Sequence, residues 1–430
     1  MPTVYVEGYG CSLNLGDTDA IKGFLSKHGF ELLSNPEKAN FIIINTCAVK
    51  DKTEHDMISR IRKLNEFSQK NNSELIVMGC LPKMNSTLMA SFADPKIISL
   101  GTKLSELAHH LNIPVEEFSP ATPALRRNPL VDIMVIERGC LNVCTFCGTK
   151  GARGHLSSYP INQLNERFEK SLALGVREFW LTGQDTGCYG FDLNSNLPEL
   201  LKKLLSHSGD FRIRLGMMNP HHAGKIADDL LPLFRDERLY KFLHIPLQAG
   251  SNKVLREMKR EYTKEDYLSL VQKIRSRVSE MHFSTDVIAG FPGESEAEFQ
   301  ETMDVLHSTT PLTMNISAYS KRPNTLAAKM KNQIPGRIAK SRTRRLSTLR
   351  EKLFEDYAIQ LIGKKEKILV SESGSKGNFI GRTGNYIPVL VPRGLGEFHE
   401  VEIQTMHRLY LEGRLLGQKL ENPLKLKILQ

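Results

Sequence analysis

Asp132-Ile-Met-Val-Ile-Glu-Arg-Gly-Cys140-Leu-Asn-Val-Cys144-Thr-Phe-Cys147 is the stretch that decides the fold. Asp132–Ile136 is short, mostly aliphatic and bounded by charge, the pattern of a buried parallel strand. The loop after it carries three cysteines within eight residues. Further short apolar runs follow at Glu178–Thr182, Arg212–Gly216, Phe242–Leu247, Phe283–Ile288 and Asn315–Tyr319, and helix-length segments separate most of them. Six βα units in about 210 residues predict an open six-stranded barrel, since a closed eight-unit barrel takes about 250. Reactive groups in such folds gather at the C-terminal ends of strands, where this loop lies.

Three thiolates spaced Cys-x3-Cys-x2-Cys can wrap one metal centre. Electron-carrying iron–sulfur clusters take four cysteines. Three leave one iron open to a substrate or cofactor, as an open position distinguishes catalytic from structural zinc. The alternative is a zinc site completed by a histidine such as His155.

Towards the N-terminus, the first 118 residues repeat the βα rhythm. Val4–Val6, Phe41–Ile44 and Leu75–Met78 read as strands, with the helical patterns Asp17–His28 and Asp51–Gln69 between them. Cys11, Cys47 and Cys80 each follow one of these strands closely, at intervals of 36 and 33 residues. In a parallel sheet all strands point one way, so three such sulfurs emerge at one edge, where ligands bind in open α/β sheets. A second three-thiolate site is predicted; three cysteines packed as small apolar residues is the alternative. Cys188 fits neither triplet and reads as a packing residue.

Towards the C-terminus, Lys329–Arg350 holds eight basic residues and no acidic one, and reads as helical after Pro335. Beyond Lys364, the segments Lys367–Val370, Phe379–Arg382, Ile387–Val391, Glu400–Thr405 and Tyr410–Leu415 alternate with Gly and Pro, the pattern of a small all-β barrel. Phe118–Pro129 carries three prolines and reads as a linker. A length of 430 residues calls for two or three domains. A net charge of +10 favours a polyanionic partner. The longest aliphatic stretch is Phe41–Ile44, too short to span a bilayer, and Met1–Tyr5 reads directly into a strand, so a cytoplasmic protein is expected. Seven cysteines in such a chain point to metal or redox roles over disulfides.

The triplet Cys140, Cys144, Cys147 behind a barrel's first strand resembles the radical S-adenosylmethionine (SAM) superfamily. Thr182-Gly183-Gln184-Asp185 is a partial match to its second-strand turn, and Asp286–Glu294 resembles its glycine-containing fifth strand. Together with the first triplet and the tail, the chain resembles the methylthiotransferase family over essentially its whole length. The segments carrying that likeness include Gly8–Asn14, Asn45–Lys50, Gly79–Pro82, Arg138–Cys147, Ala152–Gly154, His244–Ser251, Met258–Tyr262 and Tyr319–Pro323.

The resemblance implies an α/β fold of three parts. These are an N-terminal parallel-sheet domain over 1–118, a partial (β/α)6 radical SAM barrel over 126–362, and a TRAM-like RNA-binding barrel over 363–430. It implies two 4Fe-4S clusters, one on Cys140, Cys144 and Cys147 and a second on Cys11, Cys47 and Cys80, with SAM as cosubstrate. Phe146, Gly183, Gln184, Asp185, Gln248, Gly290 and Glu294 are the residues it places at the cofactor. Arg337, Lys340, Arg342, Arg344 and Arg345 are candidates for contacts to the RNA backbone. Asp185–Gly190, Asn219-Pro220 and Met258–Tyr262 look like the archaeal and eukaryotic branch, which methylthiolates N6-threonylcarbamoyladenosine 3′ of the anticodon in tRNA. Arg138 and Gln184 look instead like the isopentenyl-adenosine branch. A sister branch acts on a ribosomal-protein aspartate, and a non-catalytic metal-dependent RNA-binding protein is a further alternative. The expected partners are tRNA, an electron-donor protein and a sulfur donor, with no membrane.

Overall fold

The computed structural model describes residues 1–47, 51–92, 97–114, 124–375 and 377–417, with side chains in the second stretch from 54 onward. Part of the expected linker and the end of the tail lie outside these residues. The chain packs as two compact units, residues 1–353 and a second beginning at Phe354.

The first unit opens with five parallel strands: β1 (Thr3–Gly8), β2 (Glu31–Leu33), β3 (Phe41–Thr46), β4 (Glu74–Gly79) and β5 (Ile97–Ser99), in the order β2-β1-β3-β4-β5. The central strands β3 and β4 read Phe-Ile-Ile-Ile-Asn-Thr and Glu-Leu-Ile-Val-Met-Gly and are buried after their first residue, as strands covered by helices on both faces must be. Val6 pairs with Ile43 and Ile43 with Ile76. Both edge strands are only three residues long, too short to show a period in the sequence.

A second parallel array follows. β6 (Val131–Val135) leads to a short antiparallel pair, β7 (Glu137–Arg138) and β8 (Ser157–Ser158). Then come β9 (Glu178–Thr182), β10 (Arg212–Leu215), β11 (Phe242–His244), β12 (His282–Ala289) and β13 (Thr313–Ala318). Hydrogen bonding orders them β6-β9-β10 and β11-β12-β13, and parallel bridges Ile213–Leu239 and Met217–His244 join the halves. This is the expected six-stranded open barrel. Phe168, Phe179 and Phe211 anchor its core; the first two rings are 4.1 Å apart and Phe211 meets Phe168 edge-on at 5.2 Å.

The first helix, Ser12–Lys27, packs on β6, the terminal strand of the barrel array. Gly16 permits the approach, because a Cβ there would press on the Ile133 carbonyl and the Val135 side chain. Ser12 Oγ and Thr182 Oγ1 lie 2.9 Å apart. The N-terminal sheet and the barrel therefore form one body.

The second unit holds five strands: β14 (Lys365–Ser373), β15 (Phe379–Arg382), β16 (Pro388–Val391), β17 (Phe398–Met406) and β18 (Leu411–Leu415), closed in the order β14-β15-β16-β18-β17. Closure removes sheet edges, and Ile368, Val370, Val389, Val401, Ile403 and Leu411 fill the interior. Six of the eight basic residues of the Lys329–Arg350 run lie in one helix, Gly336–Ala358, and Lys329 and Lys331 precede it. Among the described residues no helix is long and apolar enough to cross a membrane.

Candidate active site

The loop after β6 and β7 presents its three cysteines differently. Cys140 Sγ accepts a hydrogen bond from Asn142 Nδ2 at 3.3 Å, and Cys144 Sγ accepts one from Arg260 Nη1 at 3.0 Å. Cys147 is exposed. Burial pushes the Cys140 thiol up to about 11 and raises that of Cys144, against the pull of Arg260.

The first triplet comes from three separate places, as the topology requires. Cys11 caps the first helix, Cys47 follows β3, and Cys80 starts the short helix Cys80–Met84 after β4. Gly10, at φ +105°, lies against Cys47; a Cβ there would overlap the Cys47 side chain. Cys11 and Cys47 hydrogen-bond each other, which together with burial raises the Cys11 thiol. Burial also raises Cys80, whose Sγ accepts a bond from Arg153 Nε at 3.4 Å.

Arg153 ties the two cysteine regions together. Its Nη1 donates to Asp17 Oδ2 at 2.7 Å and its Nη2 to Asn14 Oδ1 at 3.0 Å. Arg138, next to the second triplet, donates to the other Asp17 oxygen at 2.6 Å and to Tyr159 OH at 2.8 Å. Asp17 is thus a buried carboxylate held between two guanidinium groups, one from each side of the Cys140 loop.

Cys11, Cys47 and Cys147 line one cavity of about 790 Å³ together with Phe146 and Gln248. Its far wall comes from the end of β11 (His244), from β12 (Asp286), from β13 (Asn315) and from the segment after β13 (Tyr319 and Arg322). His244 Nε2 and Asn315 Nδ2 both lie 2.8 Å from Asp286 Oδ1. Arg322 Nη1 donates to Glu54 Oε2 at 2.8 Å. Sequence reasoning assigned no role to these residues. A sign was present, since Asn315 and Ser317 place polar groups at alternate positions on β13, with Tyr319 two residues further on.

The remaining expected site residues do not line this cavity. Gly183 lies under Glu137, whose carboxyl accepts from the Asp185 amide at 2.8 Å and is raised well above the usual range by burial. Asp185 is engaged on both oxygens: Oδ1 accepts from the Asn219 amide at 2.9 Å, while Oδ2 accepts from Asn142 Nδ2 at 2.9 Å and lies 2.6 Å from His222 Nδ1. Its direct role is therefore to orient Asn142 beneath Cys140. Gly290, at φ +79°, abuts Ala339, and its amide donates to Glu294 Oε2 at 2.6 Å. Glu294 also holds Arg342 Nη1 at 2.7 Å. Arg342 is buried and committed to that pair, so the expectation that it meets RNA is corrected: its helix face turns inward on the turn after β12. Arg345 pairs with Glu296 and lies 4.7 Å over the Phe299 ring. Arg337, Lys340 and Arg344 are exposed. Cys188 is buried, with Sγ 3.1 Å from the Asp185 carbonyl.

The donor sets fit iron–sulfur chemistry. Free thiols raised by burial stay protonated, and a bound cation reverses that preference. A single tetrahedral zinc holds thiolate sulfurs about 3.8 Å apart, yet neither triplet brings its three sulfurs within 4.8 Å of one another. Buried Gln184 Oε1, Gln248 Oε1 and Tyr319 OH have no hydrogen-bond partner among the described residues; of the three, Gln248 and Tyr319 line the cavity, and Gln248 is held at φ +64°. Unsatisfied polar atoms and backbone strain at a cavity wall are what a polar cosubstrate would relieve.

Three family models match the chain: Uncharacterized protein family UPF0004 over residues 3–99, the Radical SAM superfamily over 134–306 and the TRAM domain over 360–416. A probable threonylcarbamoyladenosine tRNA methylthiotransferase of Pyrococcus horikoshii is 37% identical across 97% of this chain and 100% of its own length. That of Archaeoglobus fulgidus is 38% identical across 97% and 99%. The human threonylcarbamoyladenosine tRNA methylthiotransferase is 32% identical across 96% of this chain and 73% of its own. Among solved structures, the radical SAM methyltransferase TsrM of Kitasatospora setae superposes with a TM-score of 0.56 at 13% identity, covering 76% of this chain and 77% of that one, a likeness of fold.

Proposed function

Because the chain belongs to the threonylcarbamoyladenosine tRNA methylthiotransferase family, we propose that it converts N6-threonylcarbamoyladenosine 3′ of the anticodon in tRNA to its 2-methylthio derivative. The observation that carries the reading is the single cavity onto which Cys11, Cys47 and Cys147 all open. An unactivated C–H carbon yields to no acid, base or ordinary nucleophile, so a radical source and a sulfur source must reach the same atom.

In this reading Cys140, Cys144 and Cys147 hold one 4Fe-4S cluster and Cys11, Cys47 and Cys80 hold another. With SAM bound, the former would supply the hydrogen-abstracting radical and the latter the sulfur to be methylated and transferred. The chain's own residues position and enclose. Asn142 and Arg260 donate hydrogen bonds to Cys140 and Cys144, and Arg153 donates one to Cys80; such bonds favour the thiolate form that binds metal. Phe146 walls the cosubstrate side, while Gln248 and Tyr319 offer polar atoms from the wall. The His244–Asp286–Asn315 cluster presents hydrogen-bonding groups from the far side. A base splayed out of the anticodon loop would enter this cavity. The three modules expected from the sequence then divide the work: sulfur delivery, radical chemistry and RNA binding. Arg337, Lys340 and Arg344 support the RNA role by exposure and charge. The reaction also calls for a sulfur donor and an electron-donor protein, and we place the enzyme in the cytoplasm with its tRNA.

The test is nucleoside mass spectrometry of tRNA from a strain lacking the gene. The 2-methylthio derivative of threonylcarbamoyladenosine should vanish, return with the intact chain, and fail to return with Cys47→Ala. Its persistence in the deletion strain, with no paralogue present, would overturn the reading; loss of a methylthiolated isopentenyl-adenosine instead would move the substrate to the other branch.

A further inference from the structure

The Cys140–Cys147 loop has two faces. Phe146 and Cys147 line the cavity, but Leu141 to Thr145 do not. On that other side Thr145 knits three segments together. Its N–H donates to the Met258 carbonyl at 3.1 Å, its Oγ1 donates to the Glu257 carbonyl at 2.9 Å, and its carbonyl accepts from the Ala327 amide at 2.9 Å. The three segments bring two aliphatic side chains to the surface, Val143 and Leu326, each 54% exposed. Arg256, Lys259, Lys329 and Lys331 are exposed in the same segments. With Arg260, whose guanidinium touches Cys144 Sγ, that makes five cations against two carboxylates, Glu257 and Glu261.

We propose that the surface around Val143 and Leu326 is the docking site of an acidic, low-potential one-electron carrier protein. Electrons then enter on the Cys144 side of the loop while substrate enters on the Cys147 side. The proposal rests on the function above only in needing SAM to be cleaved reductively. A small aliphatic centre inside a cationic rim is the make-up of a transient electron-transfer contact, which buries less than about 1,200 Å² and gains its rate from charge complementarity. Single-stranded nucleic acid favours aromatic stacking platforms, and the two large apolar side chains exposed here are aliphatic. The transfer balances simply: the reduced carrier, a flavin or iron–sulfur protein, loses one electron, the centre at Cys140–Cys147 gains one, and no bond forms or breaks.

The test uses a small acidic plant-type ferredoxin as probe, with the full-length wild type, the Lys259→Glu/Lys329→Glu double variant and Leu326→Glu. Ferredoxin affinity should fall by about tenfold or more in each variant and, for the wild type, should weaken steeply with salt. SAM cleavage driven by reduced ferredoxin should fall in step, cleavage driven by dithionite should stay at the wild-type rate, and tRNA affinity should hold. Unaltered ferredoxin affinity in the variants, or no binding by the wild type, overturns the proposal. Weakened tRNA binding with ferredoxin-driven cleavage intact reassigns the surface to nucleic acid. Absence of cleavage even with dithionite would count against the proposed function, and the binding measurement would still decide the docking site.

Discussion

Cys140, Cys144 and Cys147 lie on one eight-residue loop, whereas Cys11, Cys47 and Cys80 come from three strand ends 36 and 33 residues apart. The local triplet depends on one loop, pinned by the Thr145 bonds to Met258, Glu257 and Ala327. The dispersed triplet depends on the register of a whole parallel sheet and on Arg153, which reaches across from the barrel to Cys80. Both open on the same cavity, but one is assembled by sequence proximity and the other by topology. The dispersed site is therefore the more vulnerable to perturbation at a distance.

Removing the arginine beside each triplet gives the widest contrast. Arg153 is buried and serves Asp17, Asn14 and Cys80 at once. Arg153→Ala should cost about 3 kcal/mol of stability, the lower end for a broken buried pair because Arg138 still holds Asp17. Arg260 lies 3.0 Å from Cys144 and 5.0 Å over the Tyr262 ring, on a partly exposed loop. Arg260→Ala should cost about 1 kcal/mol. Urea denaturation checks both; equal costs would erase the contrast.

Two buried aspartates sharpen it through pH. Asp19, on the first helix, is pushed up to about 6 by burial, and its Oδ1 has no hydrogen-bond partner among the described residues. A folded-state value above the unfolded one means that ionisation opposes folding. The stability contributed by Asp19 therefore falls as pH rises from about 4 to about 6, and Asp19→Asn should gain at most about 3 kcal/mol at pH 7. Asp132, on β6, is held below the usual carboxylate range, where the Arg167 pair outweighs its burial. Its contribution is present above the unfolded value near 3.9 and is lost as pH falls, so Asp132→Asn should destabilise at neutral pH. Stability curves from pH 4 to 8 should show opposite signs for the two variants; the same sign would contradict the assignment.

The glycines beside each triplet give the smallest effects. Gly10→Ala forces a left-handed residue, about 1–2 kcal/mol, and displaces the Cys47 side chain. Gly148→Ala would press only on the flexible end of Met84 and should cost less than about 1 kcal/mol. Metal loading of the two variants reads the difference: the first should lose iron from the dispersed site, the second none.

The same contrast explains what the sequence disclosed. Strand ends and cysteine spacing made both triplets and the six-stranded array legible, because each follows from local period and chain direction. Partners distant in sequence were not legible. The turn at Thr182–Asp185 suggested that Asp185 faces the cofactor, but Asn142, Asn219 and His222 occupy its carboxylate. Arg342 looked like one more exposed cation in a basic run until helix packing turned it onto Glu294, 48 residues earlier. The three-residue edge strands β2 and β5 are ordered by their neighbours and carry no period of their own.

Iron and sulfide content of anaerobically reconstituted protein tests the central claim most directly. About eight irons per chain are expected, falling to about four when Cys140, Cys144 and Cys147 are changed to Ala and to about four when Cys11, Cys47 and Cys80 are changed instead. About four irons in the intact protein, unaltered by loss of Cys11, Cys47 and Cys80, would contradict the account, because the dispersed triplet would then hold no cluster and the cavity would lack its second reacting centre.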